Sequence, residues 1–166
     1  MKKAKNHHNI PQAMVDVDHT DNIVTLFLRR GKSESLKRFH PWVFSGAIAG
    51  ANGKLSEGDI VRVVSNEGEL MGYGHYQIGS IAVRMLTFDE ETIDRAFWQK
   101  RLTEAFNLRK ALRLTGREDN NIYRLVHGEG DRLPGLVVDV YGRTAVMPTH
   151  VHTHRVCLHY GSASIN

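Results

Sequence analysis

Hydrophobic and polar positions alternate in short runs through the first half of the chain. The run IVTLFLRRG, from Ile23, predicts a β-strand that ends by Gly31, and SESLKRF predicts a short helical turn that stops before a proline. The stretches IVRVV, LMGYGHY and IAVRML predict three more strands, separated by turns that contain Gly68 and Gly79. Short strands, glycine-containing turns and one small helix indicate a compact β-barrel over residues 22–88.

The hydrophobic period changes after the predicted barrel. The segment DEETIDRAFWQKRLTEAFNLRKALRLTG predicts one long helix, with Thr92 as a candidate cap and Gly116 as the stop. Its apolar positions recur at helical spacing and are Ile93, Phe97, Ala105, Phe106, Leu108 and Leu112. Its other face carries the cations Arg95, Lys100, Arg101, Arg109, Lys110 and Arg113. We interpret this basic face as a solvated surface, with a polyanion-facing surface as the alternative.

Two apolar runs follow the predicted helix. NIYRLV and LPGLVVDVYG flank the turn GEGDR and predict a hairpin, and AVM is a candidate third strand. Residues 89–147 are therefore predicted to form a small α+β unit, so the fold class is α+β. Residues 1–21 are expected to form a loose arm, and residues 148–166 form a tail with no acidic residue and four of the ten histidines.

Composition limits the class of protein only loosely. A chain of 166 residues with 41% hydrophobic residues can build one or two compact units. The net charge is +4, and residues 22–88 hold eight Lys and Arg against five acids, so a polyanion partner is compatible but not required. The single cysteine, Cys157, excludes an internal disulfide and suits a reducing compartment. No apolar stretch is long enough to span a bilayer, so we expect a cytoplasmic chain with no membrane partner.

Basic residues and aromatic rings alternate between Arg29 and Phe44, and this is the best candidate binding surface. Lys and Arg pair with phosphates, and a nearby ring can stack on an unpaired base. Trp42 and Phe44 lie in an apolar run and are expected in the core, whereas either His75 or Tyr76 is expected to face the surface. The predicted RNA-binding residues are Arg29, Arg30, Lys32, Lys37, Arg38, His40 and Tyr76.

Other reactive side chains give weaker predictions. Glu129 and Asp131 lie two residues apart in a glycine-framed turn, which favours a structural role over a catalytic pair or a calcium loop. His150, His152 and His154 alternate near Cys157, but no second ligand cluster accompanies them. Nothing around Cys157 indicates an activated thiol, and no common nucleotide-binding or hydrolase motif occurs. We therefore predict no catalytic residue and no metal site.

The segments RFHPWVFSGAI (Arg38 to Ile48) and RLVHGEGDRLPGLVVDVYG (Arg124 to Gly142) carry a family resemblance. Together with GDIVRVVSNEGELMGYGHYQIGSIAVRML between them, they resemble the bacterial 23S rRNA cytosine-C5 methyltransferases, over residues 22–147. The resemblance implies an N-terminal PUA barrel that grips RNA and a central domain. It also implies a C-terminal Rossmann-like domain that binds S-adenosylmethionine. By the same resemblance, Arg38 and His40 fall in the PUA helix and its flanks.

The tail after Met147 departs from that family, and Cys157 does not lie in the family's catalytic motif. We expect the Rossmann-like domain and any bound cofactor to be absent from this chain, and we expect a frameshift or early stop in a longer gene. Three hypotheses stay open. The chain is an RNA-binding module without catalysis, it works within an S-adenosylmethionine-dependent rRNA methyltransferase, or it is an inactive remnant with an incomplete central domain and exposed apolar hairpin residues. In the first two the expected partner is 23S rRNA, and no DNA partner is expected.

Overall fold

A computed structural model of the chain describes residues 23–117 and 119–147. They form two sheets, one of six strands and one of three, joined through a long helix. The predicted arm, residues 1–21, and the predicted tail, residues 148–166, lie outside the described residues. The described part of the chain is thus α+β, as the hydrophobic pattern predicts.

The first sheet and one short helix make up what we call the six-stranded unit. Its elements are β1 (Val24–Leu28), α1 (Glu34–Lys37), β2 (Trp42–Phe44), β3 (Ile48–Ala51), β4 (Ile60–Val64), β5 (Leu70–Tyr76) and β6 (Ile81–Thr87). The strand order is β2-β6-β5-β4-β1-β3, with β1 and β4 parallel and every other neighbouring pair antiparallel. The predictions of β1, β4, β5, β6 and the helical turn are confirmed, while β2 and β3 are strands that the pattern did not predict.

The sheet curls around an apolar core because alternate side chains of each strand point to one face. Leu26, Val61 and Val83 are almost completely buried there. Glycine allows β5 to approach β6 closely on this face. A Cβ atom on Gly74 would lie 2.5 Å from the backbone oxygen of Arg84 and 2.6 Å from the side chain of Val83. The close approach of the two strands therefore requires glycine at this position.

The second sheet and the long helix make up the three-stranded unit. Its elements are α2 (Arg95–Ala111), β7 (Ile122–His127), β8 (Val137–Tyr141) and β9 (Thr144–Val146), and the antiparallel order is β7-β8-β9. A 3-10 turn, Gly128–Asp131, connects β7 towards β8. The predicted hairpin and third strand are confirmed.

Both predicted ends of the long helix are wrong. The cap is Asp94, whose Oδ1 accepts a hydrogen bond from the backbone N–H of Phe97 at 2.9 Å, and not Thr92. The helix ends at Ala111, before Gly116, because Arg113 adopts a left-handed conformation with φ of 57°. A non-glycine residue thus takes the conformation that the sequence assigned to a glycine.

The burial of α2 also departs from the prediction. Leu108 and Leu112 are 49% and 59% exposed, whereas Arg101 and Arg109, expected on the solvated or polyanion-facing surface, are 4% and 7% exposed. Each buried arginine has acceptors: Arg101 reaches the carboxylate of Glu91, and Arg109 reaches Asp131. These two cations are therefore not available to a partner.

The hairpin packs against α2. Leu133, Val138 and Val140 are buried and Leu136 is partly buried, with Leu133 and Val138 in a cluster with Ala105 of the helix. The remnant hypothesis expected these hairpin residues to be exposed, and that expectation is wrong, since three of them are buried and the fourth is partly buried. The three-stranded unit thus has a buried apolar cluster of its own.

Candidate nucleic-acid interface

A cavity of about 290 Å³ opens between α1 and the segment that runs from β2 into the 3-10 turn Ser45–Ala47. Its wall includes the apolar side chains of Leu36 and Val43, the rings of Trp42 and Phe44, and the side chain of Lys32. This volume lies at the small end of the range of ligand pockets. It suits one small planar group next to a positive charge.

The rings beside this cavity are presented by strand alternation in β2. Val43 points into the core and is 3% exposed, so its neighbours Trp42 and Phe44 point to the other face. Phe44 is 50% exposed and Trp42 is half-buried. The imidazole of His40 lies edge-on to Trp42, with the ring centroids 5.7 Å apart, and 6.4 Å from the ring of Phe44. The prediction that Phe44 lies in the core is wrong.

The predicted basic residues lie in the segment that leads to β2, and one of them, Lys32, lines the cavity. Arg29, Arg30, Lys32, Lys37, Arg38 and His40 are all exposed and lie between the end of β1 and the start of β2. Arg29 is anchored, because its Nε donates to the backbone oxygen of Ile48 at 3.0 Å. Lys37 is paired with Glu69, with 3.1 Å between Nζ and Oε2, and the hydrogen bond to this carboxylate and its charge raise the pKa of Lys37.

Tyr76 is not brought together with these residues. Its cross-strand partner is Val83, which in turn pairs with Val43, so all three lie on the core face of the sheet. Tyr76 is half-buried and packs against the core. His75, its neighbour, faces the opposite way, is buried, and stacks on Trp98 of α2 at 5.9 Å.

Glu129 and Asp131 both have arginine partners, in agreement with a structural turn. Glu129 pairs with Arg84, and Asp131 pairs with Arg109 and accepts the backbone N–H of His127 at 2.6 Å. Burial by itself raises the pKa of the Asp131 carboxyl, but the hydrogen bonds from Arg109 and His127 outweigh it and hold the pKa below its ordinary value.

No group of three or more His, Cys, Asp and Glu side chains is placed to hold a metal ion in residues 23–117 and 119–147. The alternating histidines His150, His152 and His154, and also Cys157, lie outside the described residues.

Trp42 connects the cavity to the three-stranded unit. Its Nε1–H donates to Oε1 of Glu129 at 3.4 Å, and the guanidinium of Arg84 lies 5.7 Å from its ring centroid. Arg84 is itself paired with Glu129. Trp42 and Arg84 are opposite each other in the β2–β6 register, on the face that meets the three-stranded unit. Sequence reasoning missed this contact, because its two residues lie 87 positions apart in the chain.

The curled sheet is similar to a known class of domain. Residues 26–88 match the family described as the PUA-like domain. Over 126 residues the chain is 41% identical to ribosomal RNA large subunit methyltransferase I of Escherichia coli strain SMS-3-5, an alignment that covers 75% of this chain and 31% of that protein. The chain is homologous to that protein over these residues, and it spans about a third of the length of the curated relatives that it matches.

Solved structures share the fold. A candidate SAM-dependent methyltransferase from Streptococcus mutans superposes with a TM-score of 0.62 at 16% identity, over 75% of this chain and 32% of that one. SMU.776, a candidate methyltransferase crystallised in complex with SAH, superposes with a TM-score of 0.63 at 17% identity, with the same coverage. None of the helices that the structure describes has the length and apolar character needed to cross a membrane.

Proposed function

We propose that the described part of the chain is a module that binds structured RNA, and that its partner is 23S ribosomal RNA in the cytoplasm. The observation that carries the proposal is the cavity beside α1, whose wall includes two aromatic rings and Lys32, with further exposed cations in the adjoining segment. The cations Arg29, Arg30, Lys32 and Arg38 would contact phosphates, and the cavity would take one unpaired base against Trp42 or Phe44.

The choice of RNA over other polyanions rests on two supports. The matched domain is PUA-like, and the homologous protein is named for the RNA of the large ribosomal subunit. Exposed aromatic side chains favour a polymer with accessible bases, because a duplex offers its bases only in the grooves. The proposed ligand is therefore a folded RNA with an unpaired nucleotide.

A second candidate function is work within an S-adenosylmethionine-dependent rRNA methyltransferase that modifies C5 of cytosine. The homology over 126 residues favours it. The described residues do not themselves fit the methyl donor. Their glycine-rich turn, Gly128–Asp131, leads into β8 instead of a helix, and its two carboxylates already pair with Arg84 and Arg109. In this candidate the chain contributes RNA binding, and donor binding lies elsewhere.

Titration of a fluorescein-labelled 23S rRNA stem-loop with the purified chain at several salt concentrations tests the proposal. Binding through several Lys and Arg residues releases counterions, so the logarithm of the affinity should fall linearly with the logarithm of the salt concentration, with a slope of about −3 or steeper. A blunt RNA duplex serves as the control and should bind more weakly. Absence of binding at low salt, or affinity independent of salt, would contradict the proposal.

A further inference from the structure

Part of the cavity wall is contacted by a residue of the three-stranded unit. Trp42 is an aromatic residue of the cavity wall, yet the polar edge of its indole is bound by Glu129, which belongs to the 3-10 turn of the other unit. Arg84 closes the arrangement, since it pairs with Glu129 and lies over the Trp42 ring. One carboxylate thus binds both the indole of Trp42 and the guanidinium that lies over it.

We propose that Glu129 is a positioning residue for RNA binding, so that the proposed RNA site is completed by the three-stranded unit. This inference rests on the proposed function, and it adds to the RNA site a residue, Glu129, that does not itself contact RNA. Glu129 holds the indole plane where a base can lie against it, and it neutralises the guanidinium of Arg84 that lies over the ring. RNA bound at the cavity and contact between the two units then stabilise each other, because linkage between two sites is reciprocal.

Three observations around the contact of Glu129 with Trp42 and Arg84 support this role. Arg84 cannot easily leave, because its Nε also donates to Gln77 at 2.6 Å. The Arg84 and Glu129 side chains are 25% and 32% exposed, so this ion pair is screened less than one in free solution. The next edge of the Trp42 ring meets His40, one of the predicted RNA-binding residues. A shift of Trp42 would therefore disturb the surface as well as the cavity.

Simple electrostatics and the positioning role predict opposite changes in RNA affinity when Glu129 is removed. Loss of an acid, which also frees the charge of Arg84, should strengthen binding to a polyanion. Loss of a positioning contact should weaken it. Asp119 offers a matched control, because it is an acid of the same part of the chain that pairs with an arginine, Arg117, at an exposed site.

The experiment measures affinity for the fluorescein-labelled 23S rRNA stem-loop in wild type, Glu129→Ala and Asp119→Ala. We expect Glu129→Ala to weaken binding about fivefold, and Asp119→Ala to leave it within about twofold or to strengthen it slightly. If Glu129→Ala proves unfolded by circular dichroism, Glu129→Leu replaces it: leucine has a comparable volume but no acceptor for the indole N–H, and it should weaken binding in the same direction. Affinity equal to or above wild type in the folded Glu129 variant would overturn the inference.

A second measurement does not need RNA. In a Trp98→Phe background Trp42 is the only tryptophan of the chain. Glu129→Ala should then shift its emission to longer wavelength and increase quenching by acrylamide, since the indole loses its fixed contact. Unchanged emission and quenching would overturn the inference even if RNA binds. Failure of the wild-type chain to bind RNA, with a shifted Trp42 emission in Glu129→Ala, would instead contradict the proposed function while confirming that Glu129 positions the indole.

Discussion

Arg109 and Asp131 form a two-point ion pair that ties the C-terminal half of α2 to the 3-10 turn after β7. Both nitrogen atoms at the end of the guanidinium reach the carboxylate, with 2.7 Å between Nη2 and Oδ2. The Nε of Arg109 also donates to the backbone oxygen of Arg124 at 2.9 Å, so one side chain joins the helix to two further segments. The side chains are 9% and 4% exposed, which makes the pair part of the interior.

Removal of one partner should leave an uncompensated buried charge. We expect Asp131→Ala to lower the free energy of unfolding by about 3 kcal/mol or more, measured by urea denaturation with circular dichroism. The control is Asp119→Ala, which breaks an exposed ion pair of the same type with Arg117. Equal unfolding midpoints for the two variants would contradict the structural role of the buried pair.

The same carboxylate should give a pH dependence of stability. The pKa of Asp131 in the folded chain lies below its ordinary value of 3.8, so the folded state binds its proton less readily than the unfolded state. The contribution of Asp131 to stability is therefore fully present above pH 3.8, and it is lost as the pH falls through the lowered folded pKa.

We expect the difference in unfolding midpoint between wild type and Asp131→Ala to be largest at neutral pH. It should narrow below about pH 4, as the carboxyl takes up its proton in both states. Urea titrations at several pH values measure it. A difference that stays constant down to about pH 2 would show that the charge of Asp131 does not contribute.

Close approach of β5 and β6 gives a prediction about one glycine. Gly74→Ala would place a Cβ atom 2.5 Å from the backbone oxygen of Arg84, so the two strands would have to separate. We expect a loss of about 1–3 kcal/mol in the free energy of unfolding. Gly50→Ala is the matched control, because Gly50 also lies in a strand and a Cβ atom there meets nothing within 4 Å. Thermal unfolding of both variants would show no difference if the close approach did not matter.

A feature of this fold can be predicted from the sequence when the residues that form it are close together in the chain. The strands β4, β5 and β6 and the β7–β8 hairpin were predictable, because alternation and turn residues are properties of neighbouring positions. Burial of Arg101 and Arg109 was not, since the acceptors that make it possible, Glu91 and Asp131, lie in other segments. Helical periodicity assigns every arginine to the solvent-facing side, so it cannot identify arginines that are buried.

The candidate site shows the same division. The exposure of the cations from Arg29 to His40 was predictable from composition, and one of them, Lys32, lines the cavity. Phe44 was misplaced because a three-residue strand is too short to show alternation, so its apolar neighbours looked like a core run. The contact from Trp42 to Glu129 spans 87 positions and has no local signal.

Two lysines on the proposed RNA surface should differ in their effect on binding. Lys32 borders the cavity and has no ion pair within the residues that the structure describes, whereas Lys37 is paired with Glu69. We expect Lys32→Ala to weaken RNA binding and to reduce the steepness of the salt dependence by about one unit. Lys37→Ala should weaken it less, because Glu69 already opposes its charge. The reverse order in the salt titration would contradict the arrangement proposed for the surface.

The exposed rings allow a similar comparison. Phe44→Ala should reduce affinity for an RNA with an unpaired base about tenfold, which corresponds to the loss of one stacked base. Phe27→Ala removes another exposed ring of the same unit, 40% exposed on β1, and should leave affinity unchanged. Fluorescence anisotropy with the 23S rRNA stem-loop measures both. Equal losses for the two variants would speak against a base at the cavity.

The parallel pairing of β1 with β4 has a consequence for synthesis of the chain. Leu26 is hydrogen-bonded into a ladder beside Val63, which the ribosome adds 37 residues later. In a nascent chain that has emerged only through β3, β1 can pair with β3 along one edge. The other edge of β1 stays unpaired until β4 leaves the exit tunnel. Because the entropy cost of closing this long loop comes before the β1–β4 hydrogen bonds form, pairing of the two strands is slow. During that interval the strand Val24–Leu28 is exposed to chaperones and to pairing with other nascent chains.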